Sequence, residues 1–217
     1  MEEKDLPQTD SAPNDPDNSA KKQKSFWEWL ASELFDYAEM FVFAAMAVLL
    51  VFTFGLRLCT VSGSSMVQTL YDREQLLVSN VGYRPEQGDI LIFHQTSEVY
   101  EKFNEPIVKR VIATEGQWVD IDRATCTVTV YDENFENPQV LDESAYRYLD
   151  SGEWEIGLAM SFPVQVPEGH LFVMGDNRNN SSDSSTSEVI GFVDTRRVLG
   201  RVICRLTPIQ KFGPIEN

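Results

Sequence analysis

The chain has 217 residues, of which 42% are hydrophobic, and a formal net charge of −16. This length accommodates one good-sized domain with an anchor and a tail, and it is short for two full domains. The acidity argues against nonspecific nucleic-acid binding, which requires clustered Lys and Arg, and the sequence contains no dense basic patch. We therefore expect no nucleic-acid partner.

Cysteine and histidine usage narrows the chemistry further. Cys59, Cys126 and Cys204 lie far apart in the sequence, so neither a disulfide framework nor a zinc site with closely spaced ligands is predicted. A single bridge between Cys126 and Cys204 stays open. His94 and His170 are the two histidines, which leaves few candidates for a histidine base. We expect neither a metal nor a cofactor.

The N-terminal third combines a polar tail with an apolar run. Residues 1–25 contain three prolines, many polar residues, a Lys21-Lys22-Gln23-Lys24 cluster and no aromatic residue, which predicts a disordered tail. Aromatic and leucine side chains recur at helical spacing in 26–36, which predicts an amphipathic helix at a membrane interface. A helix docked on another protein is the alternative interpretation.

Residues 37–57 are predicted to form a transmembrane helix. The 17 residues from Met40 to Leu56 carry no charge, and with their neighbours they reach the length that crosses a hydrocarbon core. A buried core helix is an alternative interpretation, whereas a cleaved secretory signal is disfavoured because the run starts far from Met1 behind several acidic residues. The lysine cluster favours a cytoplasmic N terminus and an extracytoplasmic remainder, although Arg57 and Arg73 weaken that bias.

Residues 58–217 show the pattern of a β-rich domain. Short apolar runs between turn signals predict a mostly β fold, an antiparallel sheet or a barrel-like arrangement of sheets. The segment 132–161 is polar and is predicted to be an insertion held down by Trp154 and Ile156. The predicted strands cover residues 75–78, 90–93, 107–113, 118–121, 127–131, 170–174, 191–193 and 200–205.

Three stretches carry candidate chemistry. Residues 61–70 place Ser65 in a small-residue loop just past the apolar run, although a plain polar turn fits the same residues. A serine hydroxyl needs a base, and a lysine that has lost its charge can serve. Lys109 is the candidate because strand alternation sets it on one face with Ile107 and Val111, and Arg110 on the other. A solvent-exposed lysine at a strand edge is the alternative.

The third stretch is a polar loop, residues 174–184, directly after an apolar strand. Such a loop positions a neighbouring base through hydrogen bonds. Its two aspartates, Asp176 and Asp183, are seven residues apart and do not match the spacing of a helical calcium loop. An ordinary surface turn remains the alternative to a role in catalysis.

Together these stretches resemble the type I signal peptidases, membrane-anchored Ser/Lys proteases that remove signal peptides from exported proteins. The resemblance covers roughly residues 52–208. It rests on four blocks in family order behind a membrane anchor: Ser65-Met66-Val67-Gln68-Thr69-Leu70, Gly88-Asp89-Ile90, Lys109-Arg110-Val111, and Gly175-Asp176-Asn177-Arg178 followed by Asn180-Ser181-x-Asp183-Ser184.

The resemblance implies a role for each matched side chain. Ser65 is expected as nucleophile and Lys109 as general base, while Ser181 orients Lys109 and Asp183 supports the site. This sequence departs from the family at three positions. Gln68 replaces a usual proline, Ser185 replaces an arginine expected to pair with Asp183, and Gly63 replaces a hydroxyl that in some members assists the oxyanion.

The predicted function is therefore a membrane-bound endopeptidase whose partners are the lipid bilayer and the signal peptides of exported preproteins. The substrate is expected to bind as an added strand beside Ser62-Gly63 and Pro106-Ile107-Val108. Val61, Ile107 and Val108 are expected to wall shallow pockets for small side chains. Two alternatives are a self-cleaving repressor-type peptidase, which would carry a DNA-binding domain in place of the membrane segment, and a tethered β-domain that binds exported chains without cutting them.

Overall fold

The computed structural model describes residues 26–95, 105–155, 157–186 and 190–215. The predicted tail, residues 1–25, and Ile156 lie outside the described residues. Contacts between residues divide the chain near Ala47 into an N-terminal unit and a larger unit that holds all the strands.

The N-terminal unit is built on one helix, α1 (Phe26–Leu50), which continues through a π-helical turn, Val51–Gly55. The helix does not break between the predicted interfacial and transmembrane segments, because no proline or glycine interrupts these 25 residues. At 1.5 Å per residue α1 alone is about 38 Å long, which exceeds the thickness of a hydrocarbon core. Among the described residues this is the one helix that is long and apolar enough to cross a membrane.

The larger unit is a β-domain of two antiparallel sheets. Its described strands are β1 (Leu56–Thr60), β2 (Gln75–Ser79), β3 (Ile90–His94), β4 (Pro106–Thr114), β5 (Trp118–Asp122), β6 (Thr127–Tyr131), β7 (Gln139–Val140), β8 (Val164–Gln165), β9 (His170–Met174), β10 (Val193–Asp194) and β11 (Val198–Thr207). The predicted mostly β fold is confirmed.

The first sheet has seven strands in the order β1-β2-β11-β3-β4-β9-β10. β4 lies between β3 and β9, but the two neighbours cover different parts of it. β3 pairs with Pro106 to Arg110, whereas β9 pairs only from Arg110 onward. In the described part of the chain, the first residues of β4 therefore have an open edge on the β9 side.

The second sheet, β7-β6-β5-β8, lies wholly within the connection between β4 and β9. β5 and β6 alternate buried valine or isoleucine with more exposed residues, as expected for strands with one face in a core. The predicted polar insertion at 132–161 is thus the larger part of a longer excursion that carries its own sheet. Trp154, one of the two side chains expected to hold it down, is buried in the core with Val119 and Val130.

β1, β7 and β8 are the described strands that the sequence analysis did not predict. β1 takes up Leu56 and Arg57, which were assigned to the membrane helix, and pairs with β2 over five residue pairs. Gly55 directly precedes β1, but the apolar pattern of the helix continues past it. The pairing with β2 decides the conformation, because it satisfies backbone groups that a frayed helix end would leave open.

Candidate active site

The turn that carries Ser65 is anchored by the core on both sides of it. Met66 and Leu70 are 1% and 0% exposed, and both pack in the cluster that also contains Val61. Gly63 adopts φ +93°, a left-handed conformation that favours glycine, and its N–H donates to Asp72 Oδ1 at 3.0 Å. Buried neighbours therefore fix the direction in which Ser65 leaves the turn.

Lys109 reaches Ser65 from β4. Its Nζ lies 2.6 Å from Ser65 Oγ and donates to the carbonyl oxygen of Val108 at 3.1 Å. The lysine is only 3% exposed, and burial lowers its pKa from 10.5 to about 8, against an opposing effect of Asp183 and Asp176. A substantial fraction of the amine is therefore neutral near neutral pH, the form that accepts a proton.

The two faces of β4 do not differ in burial. All residues from Val108 to Ala113 are buried, so Arg110 is as inaccessible as Lys109. Arg110 donates to both carboxylate oxygens of Asp176 at 2.9 Å and lies 3.9 Å from the centre of the Tyr146 ring. Thr69 also donates to Asp176, so this carboxylate joins β4 to the end of the Ser65 turn.

Ser181 and Asp183 lie in the polar loop that follows β9. The Ser181 hydroxyl donates to Asp183 Oδ2 at 2.6 Å, and among the described residues no hydrogen bond joins Ser181 to Lys109. A Cβ on Gly175 would come within 2.3 Å of Ser181 Oγ and 2.6 Å of the Ser65 carbonyl oxygen. Ser181 and the backbone of Ser65 therefore pack against the same glycine, and its missing side chain permits this approach.

Ser185, the second departure from the family pattern, donates hydrogen bonds to Asp183, where the family pattern has an arginine. Its N–H and its hydroxyl donate to Asp183 Oδ1 at 3.0 and 2.7 Å. The Gly175 N–H donates to Asp183 Oδ2 at 3.0 Å. Asp183 is 1% exposed and is held by neutral donors, since no ion pair to it occurs among the described residues.

The insertion contacts the polar loop through an ion pair and backbone hydrogen bonds. Arg178 forms a bidentate ion pair with Glu143, with both side chains 1% exposed, and its guanidinium lies 5.3 Å from the Trp154 ring. Tyr148 bridges Asn177 through backbone bonds on either side of it. These contacts could not be predicted from the sequence, because Glu143 and Tyr148 lie in a polar segment without a periodic pattern.

A cleft of about 130 Å³ opens beside Ser65 and Lys109. Four of the predicted substrate-binding residues line it, namely Val61, Ser62, Ile107 and Val108, whereas Gly63 is not among the lining residues. Pro106, which was expected beside the substrate, also lines the cleft, whereas the sequence interpretation missed the remaining wall, formed by Cys59, Thr60, Leu76, Ile92 and Glu105. Leu76 and Ile92 belong to β2 and β3. Their position in the cleft could not be predicted, because they lie outside the motifs and reach the cleft only through the pairing of strands.

Within the described ranges, no group of three or more His, Cys, Asp or Glu side chains is placed to hold an ion. Cys59, Cys126 and Cys204 are all free thiols, so the bridge left open between Cys126 and Cys204 is not formed. Burial raises the pKa of the Cys59 thiol, which disfavours a thiolate in the cleft.

Comparison with known proteins identifies similar sequences. The probable signal peptidase I-2 of Synechocystis is 32% identical over 162 residues, which cover 72% of this chain and 66% of that protein, just under two thirds. Signal peptidase I of Bacillus amyloliquefaciens is 33% identical over 190 residues, covering 83% of this chain and 84% of that protein. A signal peptidase I structure from Enterococcus faecalis is 27% identical with a TM-score of 0.40, covering 55% of this chain and 97% of that one. The family model "Signal peptidase, peptidase S26" matches residues 34–207, and the chain therefore belongs to that family.

Proposed function

We propose that this protein is a membrane-anchored endopeptidase that removes signal peptides from exported proteins, with Ser65 as nucleophile and Lys109 as general base. The distance of 2.6 Å between Lys109 Nζ and Ser65 Oγ is the observation that carries the proposal. It falls within hydrogen-bond reach, and burial lowers the pKa of the lysine to about 8.

The reaction begins when Ser65 Oγ attacks the carbonyl carbon of the scissile peptide bond and Lys109 Nζ takes the hydroxyl proton. The tetrahedral intermediate collapses as the C–N bond breaks, and the ammonium of Lys109 returns the proton to the leaving amine. The acyl group stays on Ser65 as an ester. Lys109 then deprotonates a water molecule, which attacks the ester and regenerates the serine.

The open edge of β4 supports binding of an extended substrate. Ile107 and Val108 lie next to the attacking serine, and β9 does not pair with this part of the strand. A peptide added here forms main-chain hydrogen bonds that are independent of its sequence. The small cleft, walled by Val61, Ile107 and Val108, selects small apolar side chains next to the scissile bond.

Cleavage of a purified precursor tests the proposal. The full chain in detergent should release the signal peptide, and Ser65→Ala and Lys109→Arg should not, because a guanidinium stays charged and cannot accept the proton. Ser64→Ala is the matched control and should still cut, since its hydroxyl is bound by Asn180 at 2.9 Å rather than by Lys109. Binding of the precursor without cleavage by the wild type would favour the tethered binding domain instead.

The orientation across the membrane belongs to the same proposal. We propose that the tail before α1 is cytoplasmic and that the β-domain lies on the opposite side, where exported chains emerge. Protease added outside intact cells should degrade the chain after Arg57 and leave the tail protected. Degradation of the tail with protection of the β-domain would reverse the assignment.

A further inference from the structure

The backbone of the Ser65 turn is held by one residue of the polar loop, Asn177. The Asn177 side chain donates from Nδ2 to the Ser64 carbonyl oxygen at 3.1 Å. The backbone N–H of the same residue donates to the Ser65 carbonyl oxygen at 3.0 Å. Asn177 is 6% exposed, so both bonds form in a site largely shielded from water.

These bonds determine where the neighbouring amides point. The bond between Ser64 and Ser65 is not among the cis peptides of the chain, so its C=O and N–H point in opposite directions. A Ser64 carbonyl directed at Asn177 therefore sends the Ser65 N–H away from the polar loop. Val67 N–H also donates to this carbonyl, at 3.2 Å, which closes the turn, and the Asn177 side chain adds a bond from the polar loop.

The Ser65 N–H has no acceptor among the described residues, and the same holds for the N–H groups of Ser64 and Met66. An amide donor with no protein acceptor, on the residue that carries the attacking oxygen, is suited to a developing oxyanion. Gly63 brings no side-chain hydroxyl to the site, so this amide carries more of the stabilisation than it would in a chain with a hydroxyl there.

We infer that Asn177 is a positioning residue for the oxyanion hole: its side-chain amide locks the peptide between Ser64 and Ser65 so that the Ser65 N–H faces the oxygen of the tetrahedral intermediate. The inference rests on the proposed function. Asn177 itself touches neither the substrate nor the reacting atoms. Its contribution is to remove the reorientation that the amide would otherwise undergo during the reaction.

The test uses the full chain in detergent, a precursor substrate, and two inhibitors of one signal-peptide sequence. One inhibitor ends in an aldehyde, which adds to Ser65 Oγ and forms a tetrahedral oxyanion. The other ends in the corresponding alcohol, which fills the same cleft but forms no adduct. The ratio of their affinities measures stabilisation of the oxyanion separately from binding in the cleft.

Asn177→Ala should lower kcat by about tenfold to a hundredfold with little change in KM, below the full loss of an oxyanion donor because the amide itself remains. The aldehyde should lose affinity by a similar factor, while the alcohol binds as to the wild type. Asn177→Asp fills the same volume without a donor and should behave in the same way, which separates the effect from a packing defect. Asn179→Ala is the matched control, because its amide bonds only to the insertion.

Equal weakening of both inhibitors by Asn177→Ala and Asn177→Asp would show a general structural role and overturn the inference. So would wild-type kcat and a wild-type affinity ratio in either variant. Failure of the proposed function looks different, because the wild type would then bind aldehyde and alcohol equally and leave the precursor intact. That result would remove the inference together with the function.

Discussion

At the scale of single residues, Lys109 is the side chain whose surroundings depart furthest from its usual preference. Lysine is rarely buried. Lys109 is only 3% exposed and lies in a mainly apolar strand. Asp183 and Asp176 raise its pKa, but desolvation lowers it more, and the net result is about 8. The same burial that costs stability thus provides a base that works near neutral pH.

The pH dependence of cleavage follows directly. Only the neutral amine accepts the proton of Ser65, so kcat/KM of the wild type should rise with pH through a midpoint near 8 and then level off. The measurement is kcat/KM for cleavage of the precursor as a function of pH, in buffers of constant ionic strength. A midpoint close to 6.5 would point to a histidine base, and one above 10 to a lysine with an ordinary environment.

Lys109 also links stability to pH with a definite sign. Because its pKa is lower in the folded state than in the unfolded chain, folding expels a proton between pH 8 and 10.5, and wild-type stability rises over that interval. Lys109→Met should therefore be more stable than the wild type at pH 7, by at most about 3 kcal/mol in the free energy of unfolding, and should unfold at a higher temperature. This gain in stability should shrink above pH 8. Thermal unfolding of both chains at pH 7 and 9.5 measures this, and a difference independent of pH would contradict it.

Gly175 is the other residue whose identity the site depends on. A methyl group there would collide with the Ser181 side chain and with the Ser65 carbonyl, at 2.3 and 2.6 Å. Gly175→Ala should displace one of the two by a few tenths of an ångström or more, and cleavage should fall by about a hundredfold. Gly152→Ala tests whether any glycine in the domain is equally sensitive, since no atom lies within 4 Å of its added Cβ, although its φ of +79° brings its own strain. Equal losses in both variants would contradict this account of Gly175.

At the scale of elements, the insertion between β4 and β9 supports the catalytic loop through a buried ion pair. Glu143→Ala would leave the Arg178 guanidinium buried without its carboxylate, which typically costs about 3–5 kcal/mol. The melting temperature should fall accordingly, and cleavage should fall with it as the loop loosens. Arg196→Ala breaks a surface pair whose arginine side chain is 88% exposed and should leave the melting temperature almost unchanged. A Glu143→Ala variant as stable as Arg196→Ala would show that the insertion does not hold the loop.

Elements with strong local patterns were predictable, and those made by long-range pairing were not. The strands Thr127–Tyr131 and His170–Met174 have the predicted bounds, because turn residues flank runs of β-branched or apolar side chains. β10 begins at Val193 rather than 191, and β11 extends the predicted strand at both ends, since pairing with neighbours sets those limits. The motif stretches pointed to Ser65 and Lys109, whereas the supports from Glu143, Tyr146 and Ser185 depend on contacts far apart in sequence or on a departure from the family pattern.

At the scale of the whole molecule, the chain joins an apolar helix to a β-domain that exposes apolar side chains of its own. Leu58 on β1 is 63% exposed, and its neighbours Cys59 and Thr60 line the cleft. Ile209 and Phe212, after β11, are 81% and 65% exposed. Between them, Lys211 lies over the ring of Tyr71, directly after the Ser65 turn. The segment with Ile209 and Phe212 therefore lies close to the end of the catalytic turn, and its exposed apolar side chains are of the kind that suit the interfacial region of a bilayer.

A chain that starts at Leu56 tests this surface without α1. The cut precedes Leu56 because the five residue pairs between β1 and β2 begin there. This fragment should cleave a precursor slowly in buffer and faster on addition of lipid vesicles, since the exposed apolar group brings it to the interface where signal peptides lie. Ile209→Ser with Phe212→Ser should reduce the gain from lipid and leave the rate in buffer as it was, because neither side chain lines the cleft. Equal rates with and without vesicles for the unsubstituted fragment would show that the β-domain acts independently of the membrane.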